Sequence, residues 1–404
     1  MALMPVADAL KAVLAGAKPL GEERVTLENA WRRVLARDVA ARRTQPPEAM
    51  SAMDGYAVRA ADVANIPARL KVIGEVAAGR PFNHAVKAGE AVRIFTGGVI
   101  PDGADAVVIQ EDTIGEGEAV VVNETSAPGR NIRRAGIDFS DGDVLLRANR
   151  LLSDRDLALA AAMNRPHLDV YRRPRIAMLA TGDELVMPGA EPGPGEIVYS
   201  NGFALRALAR HEGADVIDLG IARDTMEATV ASIRQAAAQD ADVLVTTGGA
   251  SGGDHDLVKR ALEAEGIEIA FWRIAMRPGK PMMHGRRGAL RVLGLPGNPV
   301  SSYVCAVLFM TPLIRALSGR TDVEPTVEDA VLGSDLPAND LREDYLRAML
   351  EIAGNGTPVA YPFASQDSSL LANLSAAQAL IIRPPHAPAA AKGTSCRMIR
   401  LSHP

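Results

Sequence analysis

Between Pro174 and Leu317, short apolar segments alternate with amphipathic ones, and this alternation constrains the fold more than any other feature of the chain. The apolar segments predict strands at Arg175–Ala180, Val216–Ile221, Asp242–Thr246, Ile267–Ile274 and Leu290–Leu295. The amphipathic segments predict helices at Asn201–His211, from Asp224 as N-cap to about Gln239, at Asp256–Glu265 and at Pro299–Leu317. Strands that alternate with helices of this length are typical of a doubly wound, mostly parallel sheet. We therefore expect an α/β domain here.

The segments on either side of this domain have other patterns. From Gln45 to about Asp143, Val- and Ile-rich runs alternate with Gly, Pro and Asp turns, which predicts a mostly antiparallel β-rich subdomain. Helical spacing predicts helices at Pro5–Ala15, Leu27–Ala36 and Ser153–Met163, the last opened by a near capping box. After about Thr321, short runs predict a small β domain with strands at Tyr345–Ile352, Thr357–Tyr361 and Ala379–Arg383.

Length and composition limit the classes of function. A chain of 404 residues predicts two to four domains at roughly 150 residues each. The net charge of −5 provides no strong field for nucleic acid or an anionic membrane. Two cysteines cannot build a disulfide framework or a four-thiolate zinc site, which favours a reducing compartment. No leader peptide is evident, and the longest apolar run, Val304–Met310, is far shorter than the roughly 20 residues of a spanning helix. We expect a cytoplasmic protein with no nucleic-acid or membrane partner.

Ligands of open α/β sheets bind beyond the carboxyl ends of the strands. Four predicted loops at that edge are rich in Gly, Pro and polar residues, namely 181–184, 247–256, 277–281 and 296–299. Backbone N–H groups of a Gly-rich loop can approach an anion closely, and Arg277 and Lys280 add positive charge. Asp183, Glu184 and Asp256 are hard oxygen donors of the kind that magnesium accepts. The four loops together indicate a phosphorylated ligand with a divalent ion.

Each loop taken alone has an ordinary structural interpretation. A Gly-rich loop is often only a tight turn, Asp183 can cap a turn, Asp256 can be the N-cap of its helix, and Arg277 can form a surface salt bridge. Four such loops at one edge make the functional interpretation the stronger one. The chain lacks a G-x-G-x-x-G fingerprint, a P-loop and a G-x-S-x-G elbow. These absences disfavour a dinucleotide fold, an unrelated P-loop phosphotransferase and a serine hydrolase.

Six motifs occur in one order along the chain. They are Ser51-Ala52-Met53-Asp54-Gly55-Tyr56-Ala57-Val58, Phe95-Thr96-Gly97 with the following 101–107, Thr181-Gly182-Asp183-Glu184-Leu185, the 248–256 loop, Arg277-Pro278-Gly279-Lys280-Pro281, and 294–301. Together they closely resemble the MoeA family of molybdopterin molybdenumtransferases, which is related to the E domains of gephyrin and plant Cnx1. The resemblance covers essentially the whole chain.

The resemblance implies a reaction and an architecture. Molybdate is inserted into adenylylated molybdopterin, with magnesium and with release of AMP, in molybdenum cofactor biosynthesis. The chain is expected to be an elongated homodimer whose active site lies between subunits, with transient contact to the molybdopterin adenylyltransferase. Four domains are expected: 1–45 with 144–173 (discontinuous, helical or linker), 46–143 (β-rich), 174–320 (α/β, molybdopterin-binding) and 321–404 (a small β-barrel).

The resemblance also assigns site residues. Asp54, Glu184, Asp256 and Lys280 are expected to be catalytic, and the first three are expected to hold magnesium. The expected substrate-binding residues are Thr96, Asp138, Asp183, Asp224, Gly248, Gly249, Ser251, Arg273, Arg277, Pro296, Asn298, Pro299, Ser301, Arg347 and Ser368. Departures from the family pattern include Arg273 and Arg277, where Lys is frequent, and Ser369, where Gly normally follows the serine. The competing hypothesis is a molybdopterin-binding or scaffold protein that keeps the fold without turnover.

Overall fold

The computed structural model describes residues 3–77, 79–249 and 257–401. The first forty residues contain helix α1 (Val6–Leu14), strand β1 (Glu22–Thr26), a short 3-10 turn (Leu27–Asn29) and strand β2 (Val39–Ala40). The predicted helix at Leu27–Ala36 is wrong. Its apolar residues instead pack beneath irregular backbone, and Arg32 has a φ of 56°, which no α-helix accommodates.

The β-rich region forms a six-stranded sheet. The chain continues with β3 (Met50–Ser51), β4 (Gly55–Val58), β5 (Ala68–Val76), β6 (Glu90–Ile94), β7 (Ala106–Ile109), β8 (Thr113–Glu116), β9 (Ala119–Val122), β10 (Ile132–Arg133) and β11 (Val144–Leu146). The sheet order is β7-β4-β6-β5-β9-β8, and only the β5–β6 pair is parallel. The prediction of a mostly antiparallel β subdomain is confirmed.

Two distant segments then meet. Helix α2 (Asp154–Ala162) begins at Ser153, whose hydroxyl accepts from Asp156 N while the Asp156 carboxylate accepts from Ser153 N, so the predicted capping box is complete. Strand β12 (His167–Tyr171) follows and pairs antiparallel with β1, while β11 pairs with β2. Side chains of 30–41 and 139–170 share one hydrophobic core. Helix α1 instead buries Ala9 and Val13 in the core of the α/β region.

The α/β region alternates strands and helices as expected. Its elements are β13 (Arg175–Thr181), β14 (Leu185–Val186), β15 (Ile197–Val198), α3 (Asn201–His211), β16 (Asp215–Ala222), α4 (Met226–Ala238), β17 (Val243–Thr247), α5 (Leu257–Ala264), β18 (Glu268–Phe271), β19 (Met276–Arg277), β20 (Met283–Arg287), β21 (Leu290–Leu295), α6 (Pro299–Cys305), a π-helical turn (Ala306–Met310) and α7 (Thr311–Leu317). The sheet order is β16-β13-β17-β21-β20-β18, with hydrophobic clusters on both faces.

The doubly wound, mostly parallel sheet is therefore confirmed, with three differences. Strands β16, β13, β17 and β21 are mutually parallel, but β20 is an antiparallel strand that the pattern did not predict. The predicted strand Ile267–Ile274 is shorter, since β18 ends at Phe271. The N-cap of α4 is Thr225 rather than Asp224, because the Thr225 hydroxyl accepts from Ala228 N at 3.2 Å.

The continuous helical run Pro299–Leu317 has 19 residues and a composition that could cross a membrane, although it contains no long unbroken apolar stretch. Within the protein, 83% of its apolar window is buried. It is therefore a core helix of the α/β region.

The last region is a barrel. Its elements are β22 (Val327–Leu332), β23 (Glu343–Ile352), β24 (Pro358–Pro362), α8 (Leu371–Ala376), β25 (Ala379–Arg383) and β26 (Ser395–Arg400). Pairings run β22–β26–β25–β23–β24 and back to β22, which closes five strands as the predicted small β-barrel. Strand β19 of the preceding region pairs with β23 and so joins the barrel edge.

Candidate functional site

A crevice of about 600 Å³ opens at the carboxyl ends of β13, β17 and β21. Three of the four predicted loops line it directly, through Thr181 and Glu184, through Thr247–Gly249, and through Pro296–Pro299. The fourth loop contributes Pro281. Of the expected site residues, the structure thus brings Glu184, Gly248, Gly249, Pro296, Asn298 and Pro299 together around one cavity.

The floor of the crevice depends on two glycines. Gly248 and Gly249 have φ values of 89° and 67°, which favour glycine. A Cβ on Gly248 would lie 2.3 Å from the carbonyl oxygen of Thr181, so β13 and β17 can end side by side only without it. The Thr181 hydroxyl is buried there and has no hydrogen-bond partner among the described residues. A polar atom of the floor is therefore available to a ligand.

Three carboxylates lie close together at one rim. The Glu184 carboxylate folds back over Gly182, where a Cβ would be 2.6 Å from Oε2. Asp183 Oδ1 accepts from Asp224 N at 3.2 Å. Desolvation, together with the charges of Asp183 and Glu184, raises the pKa of Asp224. The rim thus concentrates negative charge.

The opposite rim joins the sheet to the barrel. Asn298, which precedes α6, donates from Nδ2 to Ser368 Oγ at 2.9 Å, and Val300 N donates to Ser368 O at 3.1 Å. Ser369 lines the crevice beside them. Asn201 Nδ2 donates to Gly297 O at 2.7 Å and so holds the 296–299 loop against the start of α3. The expected residue Ser301 lies in the first turn of α6 and is buried.

Arg347 lies behind this turn and is 1% exposed. Its Nη2 donates to Asp367 O at 2.9 Å, while its Nε has no hydrogen-bond partner in the described part of the chain. Gln366 clamps the same turn, since Oε1 accepts from Arg347 N at 2.9 Å and Nε2 donates to Arg347 O at 3.0 Å. Burial lowers the pKa of Arg347. A fully buried cation adjoins the Ser368 turn with donor capacity unused.

The other expected cations have separate environments. Lys280 is exposed, and its carbonyl accepts from Ile274 N at 3.0 Å. The Arg273 guanidinium stacks over Trp272 at 5.1 Å from the ring centroid. Arg277 faces the barrel, where Nε donates to Asp344 Oδ1 at 2.9 Å. It borders a different cavity, of about 490 Å³, lined mainly by barrel residues.

The expected residues of the β-rich region lie elsewhere. Asp54 Oδ1 accepts from Thr96 N at 2.7 Å and from Thr96 Oγ1 at 2.8 Å, and these two bonds lower the pKa of Asp54. Asp138 is exposed on a turn of the same region, with its N–H donating to Gln45 O. No described residue of 46–143 lines the crevice.

Other findings bear on the expected site. Ser251 and Asp256 lie outside the described residues. In the part of the chain that is described, no group of three or more His, Cys, Asp or Glu side chains could hold a metal. The sequence pattern missed Tyr199, Ser200, Asn201 and Ser369, which all line the crevice. Ser200 is the N-cap of α3 and Asn201 its first residue, which is an ordinary helix start, so only the strand order could have placed them here.

This fold and crevice define an α/β ligand-binding protein with a β-rich region and a terminal barrel. Three family models cover the chain: the MoeA N-terminal region (domain I and II) over residues 4–164, the probable molybdopterin binding domain over 177–316, and the MoeA C-terminal region (domain IV) over 329–401. The molybdopterin molybdenumtransferase of a Nostoc species is 38% identical over 370 residues, covering 90% of this chain and 85% of that protein. That of Haemophilus influenzae is 39% identical, covering 75% and 74%.

A solved structure agrees with these relatives. The molybdopterin biosynthesis MoeA protein of Pyrococcus horikoshii is 31% identical, with a TM-score of 0.84 over the whole of both chains. The chain belongs to the MoeA family. It is an enzyme, a transferase of molybdenum cofactor biosynthesis.

Gly248→Ala tests the crevice floor. We expect a loss of roughly 1–3 kcal/mol of stability from the positive φ alone, and a further loss because the new Cβ meets Thr181 O. The measurement is thermal unfolding together with ligand binding. Gly195→Ala is the matched control, since Gly195 has a φ of 85° and nothing within 4 Å of its Cβ position. Equal losses in both variants would contradict a close backbone approach at Gly248.

Asp224→Asn tests the acidic rim. Because the folded state raises the pKa of Asp224, its ionisation destabilises the fold, and stability falls as the pH rises through that raised pKa. We expect the variant to unfold about 1–2 °C higher at pH 7 and at an unchanged temperature near pH 3, where the carboxyl is protonated in both states. Glu268→Gln, at the far edge of the sheet, controls for the loss of one charge. The same gain at both pH values would contradict this account.

Proposed function

We propose that this enzyme inserts molybdate into adenylylated molybdopterin, releasing AMP and forming molybdenum cofactor. The observation that carries the proposal is Arg347, a guanidinium that is 1% exposed and whose Nε has no hydrogen-bond partner among the described residues. The charge of Asp367 attracts it, but no described carboxylate forms a salt bridge with it within 4 Å. Buried charges in proteins are normally paired. An oxyanion at the Ser368 turn would supply the missing partner, and molybdate is an oxyanion of suitable charge.

The hydroxyls around Arg347 suit the same ligand. Ser368 Oγ already accepts from Asn298 Nδ2, so its own proton is free to be donated to an oxyanion. The Asp367 carboxylate accepts from Ser369 N at 2.8 Å and from Ser369 Oγ. These local hydrogen bonds hold the Asp367 carboxylate against its own turn. Arg347 and Ser368 would thus bind molybdate, with Ser301 and Asn298 shaping the wall of the site.

The crevice itself would hold the pterin phosphates and the adenylyl group. Backbone N–H groups of the Gly248–Gly249 loop can approach phosphate oxygens, and Lys280 is an exposed ammonium on the loop that contributes Pro281 to the lining. Arg273, stacked on Trp272, would add charge nearby. Molybdopterin carries its own dithiolene sulfurs, which agrees with a chain of two cysteines of which Cys305 is buried.

Magnesium fits the donors at the acidic rim. Glu184 would supply carboxylate oxygens, the hard oxygen type that Mg²⁺ prefers. Asp256 and Asp54 would complete the set, and Asp183 and Asp224 would reinforce the negative field. When bound, the ion would offset charge on the phosphate of the leaving AMP. Glu184 would orient the phosphoanhydride toward the molybdate bound at Arg347.

Asp54, Thr96 and Asp138 would enter the crevice from a second copy of the chain. Supporting this, no described residue of 46–143 lines the crevice of its own chain, and the Thr96 bonds keep Asp54 ionised and fixed in direction. We therefore propose a homodimer in the cytoplasm, with the site at the subunit interface and with transient contact to the adenylyltransferase that supplies the substrate.

The test is direct conversion. Purified protein is incubated with adenylylated molybdopterin, Mg²⁺ and molybdate, and AMP release and active cofactor are followed together. We expect AMP and cofactor to form in equal amounts. Binding of the pterin without AMP release would favour a scaffold of the same fold, and neither binding nor release would contradict the proposal.

Arg347→Met tests the molybdate site. Removing a buried, unpaired charge should leave the unfolding temperature unchanged or higher. The KM for molybdate should rise roughly tenfold or more, since a hydrogen bond to a charged group contributes about 1.5–3 kcal/mol. Steady-state AMP release at varied molybdate gives the KM.

Arg291→Met is the matched control. Arg291 is also buried and donates only to backbone oxygens, to Val13 O at 2.9 Å and Ala15 O at 3.0 Å. Its loss should loosen helix α1 without changing the KM for molybdate. An unchanged KM in Arg347→Met would remove Arg347 from the proposed site.

A further inference from the structure

The Arg277 guanidinium forms hydrogen bonds with side chains of the barrel. Its Nε donates to Asp344 Oδ1 at 2.9 Å and its Nη2 donates to Asp344 Oδ2, so the pair is bidentate. Nη2 also reaches Asn339 Oδ1 at 3.3 Å, and Nη1 reaches Asp340 Oδ2 at 3.5 Å. The hydrogen bonds to Asp344 raise the pKa of Arg277. Three acceptor side chains of the barrel therefore surround one cation of the α/β region.

Asp344 needs this cation. The residue is 4% exposed, and Arg277 is its only side-chain partner among the described residues. A carboxylate removed from water without a partner is strongly unfavourable. Asp340 is less dependent, since its oxygens also accept from Arg342 N at 2.9 Å and Arg342 Nη2 at 3.2 Å. A ligand that drew Nε and Nη2 away would leave Asp344 buried and unpaired, so this side of the guanidinium is held by the barrel.

The Arg277 loop connects the barrel to the crevice. At its start, Met276 and Arg277 pair in parallel with Glu343 and Asp344, and Glu343 N donates to Ala275 O at 2.9 Å. At its end, Pro281 lines the crevice and Lys280 O accepts from Ile274 N. In between, a Cβ on Gly279 would lie 2.5 Å from Cys305 Sγ of α6. Anchoring one end of this loop therefore fixes the other.

We propose that Arg277 is a positioning residue, which ties the 277–281 loop to the barrel through Asp344 and thereby sets Lys280 and Pro281 at the crevice. This role differs from that of a direct ligand of the substrate oxyanion, which would act without Asp344. This inference deepens the proposed function, on which its activity readout rests. The cation that meets the substrate phosphates is then Lys280, and the barrel takes part in phosphate binding without contacting it.

Charge neutralisation of the pair tests the inference. Arg277→Gln should lower the unfolding temperature by several degrees and raise the KM for adenylylated molybdopterin about tenfold, because the loop loses its anchor. Asp344→Asn alone should have a smaller effect, since the Arg277 side chain is 48% exposed and keeps Asn339 and Asp340. In the double variant the two amides can hydrogen-bond. The unfolding temperature should then recover toward the wild-type value, and the KM should return to within about threefold of wild type.

The rescue decides between the two roles. A folded double variant whose KM stays as high as that of Arg277→Gln would overturn the inference, because a direct ligand cannot be restored by a change at Asp344. Arg172→Gln is the matched control, since Arg172 forms a bidentate pair with Asp242 at 2.9 and 2.8 Å away from the crevice. It should lower the unfolding temperature without moving the KM.

Hydrogen exchange tests the same coupling without the reaction. Hydrogen exchange of the 276–282 amides should speed up in Arg277→Gln and slow again in the double variant. If the wild-type protein releases no AMP, the proposed function fails while this coupling can still be measured. If AMP release is normal and the exchange rates do not change, the positioning role fails.

Discussion

The crevice exists because two parallel strands can end in contact at Thr181 and Gly248. A side chain at Gly248 would lie 2.3 Å from the Thr181 carbonyl oxygen, so the absence of a Cβ sets the distance between β13 and β17 at their carboxyl ends. Everything else in the site is arranged around that approach. The acidic rim follows β13 and the Asn298 loop follows β21, so both reach the same cavity from the two strands that flank β17.

Buried charge governs how the regions are joined. Arg172 pairs with Asp242 between the β12–β13 connection and the sheet. Within the α/β region, Arg315 and Arg320 both pair with Glu212 at 2.8 and 2.9 Å and so join α7 and its end to α3. Arg277 with Asp344 repeats the arrangement at the barrel. In each junction a carboxylate with little exposure has a guanidinium partner. Arg347 lacks such a partner among the described residues, which is why we assign it to a ligand rather than to a junction.

The sequence predicted those parts of the fold that local patterns determine. Helix Asn201–His211 matches its prediction at both ends, and the three loops after β13, β17 and β21 meet because parallel strands share an edge. Strand β20 was missed because four of the five residues of its segment, Met283–Arg287, are polar or small and the strand is held by pairing on both sides. The helix expected at Leu27–Ala36 failed because long-range packing overrode its periodicity.

Side-chain direction was the harder part of the site to predict. The sequence pattern shows that position 277 follows a predicted strand and carries a cation. It does not show which partner that cation contacts. Its neighbour in space, Asp344, is 67 residues away and belongs to another region. Only the β19–β23 pairing brings the two together.

The residue type at 277 is consistent with this geometry. A lysine at this position would present a compact, flexible point charge. A guanidinium presents a planar fork that matches both oxygens of one carboxylate. The bidentate contact with Asp344 uses the Nε and Nη2 side of that fork, so arginine at this position suits a fixed junction with the barrel. Lys280, three residues further on, retains the point charge beside the crevice.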